Sequence, residues 1–385
     1  MDRSEAHRVM TEVFGDDVHA KRVKSLGDGA LGVLEAGAVG IHAIGQGLAA
    51  ACNLAEKHAI KQVDRLIGNK GVSVDALSPA WVEHVLGDRE EVVANFDWTE
   101  FDADDQSMIV LAAQTGHGRA MPLLWKSVVK SELAGKRNDT EDAVLERFRE
   151  LVPRSVKVTV VADRGFGDTA LYDHLDRMGF FYVIRFRSNI IVEHDGVRQT
   201  AKEWMVGRSR PLLLRGAKVT ARGYVVPSVL LVQDPGMKDG WCLVSNLPDA
   251  TAADLKRLYG KRFSIEETFR DIKDLRYGFG LSWTRIKTPE RRDRLFLLAV
   301  LALALLTLLG QAGENLGMDR MLKANTVKRR TLSLVRQGLR WYEHTRKMSE
   351  DKLLPLMTEF QRLVEMSLLS GHIRAISQVV SANVK

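Results

Sequence analysis

A chain of 385 residues is too long for one simple domain and fits two or three. Hydrophobic residues make up 45 %, which excludes a globally disordered chain and allows a substantial core. Lys and Arg number 56 against 49 acidic residues; the resulting charge of +7 suits a polyanionic partner without singling one out.

The chain opens on a charged segment, MDRSEAHRVM, with no apolar signal region. Residues 1 to about 90 read as helical. Within them, Ile41 to Ile67 resembles two short helices broken near Cys52-Asn53, the second burying Leu54, Ile60, Val63 and Leu66 or Ile67. That second helix presents Lys57, His58, Lys61, Gln62 and Arg65 on its other side. The unit has the length and polarity of a helix-turn-helix, so Lys57, Lys61 and Arg65 are candidate DNA contacts; an ordinary helical hairpin with a basic face has the same pattern. Cys52 and Cys242 lie far apart with no Cys/His cluster around either, which argues against a disulfide framework or a zinc site and fits a reducing cytoplasm.

From Glu91 the texture changes. Val92–Trp98 reads as a strand, and Met108–Gln114 and Arg119–Lys126 as two more joined by Thr115-Gly116-His117-Gly118. Residues 140–151 form an amphipathic helix with Thr140 as candidate N-cap, and Val156–Ala162 is a β-branched run typical of a buried strand. A helix over Asp168–Met178 and a strand over Phe180–Phe186 complete the order β-β-β-α-β-α-β. The expected fold class is therefore α/β, a mixed sheet led by a hairpin, in the order of the ribonuclease-H-like fold. Residues 187 to about 250 interrupt it as an all-β insertion with strands at Ile190–His194, Val219–Tyr224, Ser228–Val232 and Trp241–Ser245. A helix then runs from Ala252 through Lys273. The apolar run Leu295–Leu309 is shorter than the ~20 residues a bilayer requires and reads as a buried core helix. The tail from 320 onward is helical and basic, with Lys328, Arg329, Arg330, Arg336 and Arg340.

Acids punctuate the buried strands. Asp97 falls near the end of the first, and Asp163 directly follows the fourth. If those strands are neighbours, both carboxylates meet at one edge of the sheet, where paired acids can hold divalent metals for phosphodiester chemistry. A capping or turn role is the competing reading for Asp163, and Asp102, Asp104 and Asp105 compete with Asp97. In the late helix, Tyr259, Arg262, Glu266 and Lys273 stand at offsets 0, 3, 7 and 14 and would share one stripe with Arg270, while Phe263, Phe269 and Ile272 dock the helix on the core. A solvated face with i,i+4 pairing is the alternative.

Tyr259-x2-Arg262-x3-Glu266-x6-Lys273 resembles the Tyr-Arg-Glu-Lys signature of DDE-class insertion-sequence transposases, the IS-four and Tn-five-like group. Val161-Ala162-Asp163-Arg164-Gly165-Phe166 and Asn95-Phe96-Asp97-Trp98-Thr99 are similar to the segments around that group's two catalytic aspartates. The resemblance covers roughly residues 30–310. It implies that Asp97, Asp163 and Glu266 bind metal, two Mg2+ ions with Mn2+ as a substitute, and that Tyr259, Arg262 and Lys273 contact phosphates of the element's end. Trp241 resembles the insertion-domain tryptophan that stacks on a flipped base; packing on a strand is the other reading of it.

The expected organisation is a helical DNA-binding domain over 1–90, a ribonuclease-H-like catalytic domain over 91–310 with its insertion at about 187–250, and a C-terminal helical region over 311–385 that could dimerise. The expected partners are double-stranded DNA, both terminal repeats and target, with a homodimer in the complex and no membrane; the expected location is cytoplasmic and nucleoid-associated. An inactive DNA-binding relative that represses transposition, or another ribonuclease-H-like nuclease, are the rival readings.

Overall fold

The computed structural model describes residues 1–15 and 18–382, with side chains through residue 369; the last three positions of the expected 311–385 region lie outside the described residues. Five helices come first: α1 (Arg3–Phe14), α2 (Ala20–Ala36), α3 (Ile41–Cys52), α4 (Glu56–Gly68) and α5 (Val74–Leu86). Asn53 ends α3 with φ of 51°, a left-handed turn that Asn tolerates and that sends the chain back as α4. The two helices touch at Gly45, where a Cβ would lie 2.5 Å from the Ile60 Cα. The buried face of α4 is Ala59, Val63, Leu66 and Ile67. This corrects the expected face: α4 starts at Glu56, so Leu54 precedes it at 37 % exposure and Ile60 is only half-buried. Gln62 is also not a free polar position. It donates to the buried Asp28 carboxylate at 2.7 Å, beside Arg3 and His7, and so ties α4 to α1 and α2.

The middle of the chain builds one ten-stranded sheet. Its members are β1 (Glu91–Phe101), β2 (Gln106–Gln114), β3 (Ala120–Val129), β4 (Lys157–Ala162), β5 (Phe181–Arg185), β6 (Ile191–His194), β7 (Val197–Thr200), β8 (Leu212–Val219), β9 (Tyr224–Val232) and β10 (Trp241–Ser245), in the order β3-β2-β1-β4-β5-β10-β9-β8-β6-β7. β1, β4 and β5 are parallel; β2 and β3 return antiparallel on one side, and β10 pairs antiparallel with β5 on the other. Helices α6 (Arg137–Leu151) and α7 (Thr169–Arg177) supply the connections that parallel strands need.

Three local expectations are corrected here. Thr140 lies inside α6, which begins a turn earlier at Arg137, and its hydroxyl donates back to the Lys136 carbonyl. Val219–Tyr224 is not a strand but the turn between β8 and β9, with Thr220 and Gly223 both in the left-handed region. The insertion is not all-β: it includes α8 (Ala201–Met205), started by a Thr200/Glu203 capping box, and it continues the central sheet through β10.

After the sheet come α9 (Ala252–Gly260), α10 (Phe263–Lys273), α11 (Pro289–Asn315), α12 (Leu334–His344) and α13 (Glu350–Ala382). By length and composition α11 could cross a bilayer, yet 83 % of its most apolar window is buried within the protein. It is apolar all round because it is surrounded: one continuous core joins it to α2, α12, α13 and the β2–β3 face. N- and C-terminal helices thus share that core across the boundaries expected at 90 and 310. Gly310 and Gly338 let α11 and α12 close together, since a Cβ at either would sit 2.0 Å from a carbonyl oxygen of the other helix.

Candidate active site

β1 has two unlike faces. Ala94, Phe96 and Trp98 point into the core under α6 and α7, whereas Asn95, Asp97 and Thr99, two residues apart, lie on the face that α10 covers. The parallel register of β1 with β4 ends at Phe96 opposite Ala162, so the next residues on the two strands are Asp97 and Asp163. Neighbouring strands run about 4.8 Å apart, which sets the two carboxylates side by side at the carboxyl edge of the sheet. Asp163 is half-buried and its Oδ1 accepts from the Gly165 amide at 2.7 Å, capping a short 3-10 turn (Arg164–Phe166). The capping and the functional readings of Asp163 are therefore compatible.

Glu266 arrives on α10. Side chains pin this helix to the sheet along its length. The fully buried Asn95 Nδ2 donates to Ser264 Oγ at 2.9 Å and to the Arg262 carbonyl at 3.3 Å, and Gln114 donates to Asn95 Oδ1 at 2.7 Å. Thr268 donates to the Ala120 carbonyl, Arg119 pairs with Asp271 at 2.6 Å, and Lys273 Nζ donates to Thr99 Oγ1 and the Glu100 carbonyl, each at 2.7 Å. Asn95 was not singled out from sequence. The signal was there: between Val92 and Thr99 the polar residues Asn95, Asp97 and Thr99 alternate with apolar ones at a two-residue period. Asn95→Ala is expected to cost about 1–3 kcal/mol, because Ser264 and Gln114 lose a buried partner; urea denaturation of the full chain measures it.

Arg262 is the electrostatic centre. It is 6 % exposed, with Nη2 2.5 Å from Glu266 Oε1 and Nη1 3.4 Å from Asp97 Oδ2. Burial pushes the Asp97 carboxyl up to about 7; Arg262 opposes this, while Asp163 and Glu266 reinforce it. Burial works against the charge of Arg262 as well, but Tyr259, Glu266 and Asp97 outweigh it and hold its pKa above the ordinary value. Lys273 is pulled down, mainly by burial.

The single helix expected over Ala252–Lys273 is interrupted at Lys261-Arg262, where the amides of Arg262, Ser264 and Ile265 reach back three residues instead of four. Arg262 still contacts both Tyr259 and Glu266 across the interruption. Phe263, expected in the core, is 42 % exposed. Tyr259 is 1 % exposed, edge-on to Trp241 with ring centroids 4.8 Å apart, and the Arg262 guanidinium lies 5.7 Å from its ring. Trp241 is half-buried at the start of β10, packed over the α9–α10 joint between Tyr259 and Phe263.

The acids that compete with Asp97 are engaged elsewhere. Asp102 pairs with Lys130, Asp104 pairs with the fully buried Arg292 and accepts from the Ile286 amide, and Asp105 accepts from Ser131. Lys57, Lys61 and Arg65 are exposed along α4.

Among the described residues, no group of three His, Cys, Asp or Glu side chains is arranged to hold a metal ion as it stands. The donor chemistry nonetheless suits a hard divalent cation: three carboxylates from β1, the β4 end and α10, one of them with a pKa raised chiefly by burial and further by the other two. Hard oxygen donors therefore stand at one edge of the sheet, two of them in contact with the Arg262 guanidinium. Residues 113–305, half of the sequence, match the transposase DDE domain family, and the chain belongs to that family. Asp163, Trp241, Tyr259, Arg262, Glu266 and Lys273 fall within the match, and Asp97 lies outside it. No curated protein matches the sequence. The family implies a DNA substrate and, in general, divalent metal ions.

Proposed function

We infer that this transposase cuts the ends of its element and joins the freed 3′-OH ends to target DNA by two-metal-ion chemistry at Asp97, Asp163 and Glu266. The observation that carries the reading is the meeting of Asp97 and Glu266 at Arg262, with Asp163 abreast of Asp97 across the β1–β4 register, on a helix pinned to β1 by Asn95 and Lys273. The strand order β3-β2-β1-β4-β5, with parallel β1, β4 and β5, supports a ribonuclease-H-like core.

Asp97, Asp163 and Glu266 would hold the cations, Mg2+ or Mn2+, which when bound supply Lewis-acid activation of the attacking oxygen and stabilise the departing 3′ oxygen. Arg262 is the group that couples DNA to the carboxylates. A scissile phosphate competes for its guanidinium, and each bond transferred from Asp97 or Glu266 to phosphate frees a carboxylate lone pair. Tyr259 is too buried to reach DNA and acts by fixing Arg262 through its ring. Lys273 acts by holding the carboxyl end of β1 against α10. No side chain attacks phosphorus, so no covalent protein–DNA intermediate arises. Lys57, Lys61 and Arg65 give α4 a basic face suited to the terminal repeats, and two ends per element call for a homodimer in the complex. The Tyr-Arg-Glu-Lys spacing supports kinship with the IS-four and Tn-five-like group.

The test is incubation of the full chain with DNA carrying the element's own ends, taken from the sequence flanking its gene. Nicking at the ends with Mg2+ or Mn2+, exposing 3′-OH groups, is the expected result. Ends that are bound but left uncut with both ions would sink the reading.

A further inference from the structure

The loop between α10 and α11, residues 274–288, is built on a fixed base. Phe279, Leu281 and Ile286 are buried beneath it. Asp274 Oδ1 accepts from the amides of Arg276 and Tyr277 at 2.7 and 2.6 Å, and the Ile286 amide donates to the Asp104 carboxylate at 3.1 Å. On this base Trp283 stands 72 % exposed and Tyr277 50 %. An ordered loop that holds two large aromatics in water gives up the free energy of burying them, and such exposure marks an interaction surface. The loop's own charge is mainly positive: a single acid, Asp274, already used in its turn, against Arg276, Arg285 and Lys287, with Asp104 at its base 3.9 Å from Arg285 and paired with Arg292. The Arg276 guanidinium lies 5.2 Å from the Tyr277 ring, and Arg285 donates to the Ala103 carbonyl with most of its side chain exposed. The loop also continues directly from α10, which carries Glu266, and it braces the turn that follows β1.

We propose that this loop is a DNA-contact surface separate from the carboxylate cluster, on which Trp283 and Tyr277 stack against bases left unpaired beside the cut end. Arg276, Arg285 and Lys287 hold the flanking phosphates. Paired bases hide their faces inside the duplex, so exposed aromatic rings select unpaired ones, and stacking accepts any base sequence. A second copy of the chain is the competing occupant, but three cations against one spent acid favour a polyanion over a like-charged copy. The proposal rests on the reading that α10 faces the DNA end.

The experiment is fluorescence anisotropy of the full chain with labelled end DNA, in the absence of divalent metal so that cleavage does not intervene. Two duplexes are compared, one blunt and one with a short unpaired terminus. The native chain is expected to prefer the unpaired terminus by about tenfold. Trp283→Ala removes that preference and leaves blunt-end affinity unchanged, Trp283→Phe keeps it, and Tyr277→Ala weakens it. The exposed position of Trp283 predicts an unchanged thermal midpoint for the Ala variant, and Tyr277→Ala provides an independent second reading. Equal affinity of Trp283→Ala and native chain for the unpaired terminus overturns the proposal. So does a shift in sedimentation from dimer to monomer with DNA binding intact, which assigns the surface to self-association. Failure of the native chain to bind either duplex counts against the end-cleavage reading, whereas end binding without any preference counts against the loop alone.

Discussion

Asp163→Asn is expected to lower Mg2+-dependent cleavage of the element's ends by on the order of 10³-fold, with DNA binding and stability retained. Loss of one preorganised electrostatic group from an active site typically costs roughly 10²–10³ in rate, and a metal-holding carboxylate lies at the upper end. The substitution suits the question because the structural duty of Asp163 is narrow. Its Oδ1 accepts one hydrogen bond, from the Gly165 amide, and an asparagine oxygen accepts the same bond. Only the charge is lost, so stability should move by less than about 0.5 kcal/mol. Glu266→Gln should behave alike, since its carboxylate is about half exposed and its contact with Arg262 is the sole bond at stake. Gel analysis of end-labelled DNA reads the cut, and anisotropy reads binding. Cleavage within a fewfold of the native rate would remove Asp163 from the chemistry.

The largest expected loss of stability comes from a residue outside the chemistry. Arg292 is completely buried near the start of α11. Its Nε donates to Gln106 Oε1 at 2.6 Å, its Nη2 pairs with Asp104, and its guanidinium lies 4.0 Å from the Phe101 ring. Gln106 and Asp104 in turn hold the Ile286 carbonyl and amide, so one side chain joins the β1–β2 turn to the loop before α11. Arg292→Ala leaves the nearly buried Asp104 with only the Ile286 amide and the exposed Arg285, 3.9 Å away, and truncating one partner of such a buried pair costs about 3–5 kcal/mol. Arg147→Ala, which breaks a solvent-exposed pair with Asp75, should cost under about 1 kcal/mol. Chemical denaturation of the two variants beside the native chain tests the contrast; equal losses would show that Asp104 finds water or another donor once Arg292 is gone.

Several elements were legible from sequence for plain reasons. Val156–Ala162 is β-branched because β4 is buried on both faces, and the apolar run within α11 is uniform because that helix is enclosed. Other elements misled. Ala252–Lys273 has helical periodicity throughout, yet the helix is interrupted at Lys261-Arg262, where each half has its own tertiary partner: Tyr259 against Trp241, and Ser264 against Asn95. Val219–Tyr224 has strand composition, but the β8–β9 pairing needs its reversal there, at Thr220 and Gly223. Helical spacing cannot show where a helix bends, and β propensity cannot show where a hairpin turns.

The three carboxylates follow the same division. By itself the sequence determined that Asp163 follows a strand's end and that Glu266 follows Arg262 by one helical turn, since strand ends and i,i+4 spacing are local properties. Asp97, expected near the end of its strand, lies inside β1, which pairs with β2 as far as Phe101. Only the tertiary structure decided that β1 and β4 are parallel neighbours in a register that sets the two aspartates abreast, because register is fixed by pairing across the sheet. It also decided that Asp102, Asp104 and Asp105 are engaged elsewhere, and that Arg262 is buried between Asp97 and Glu266, where a phosphate must compete for it. Those outcomes depend on contacts between separate segments, 165 residues apart for Asp97 and Arg262 and 188 for Asp104 and Arg292, which no local pattern encodes.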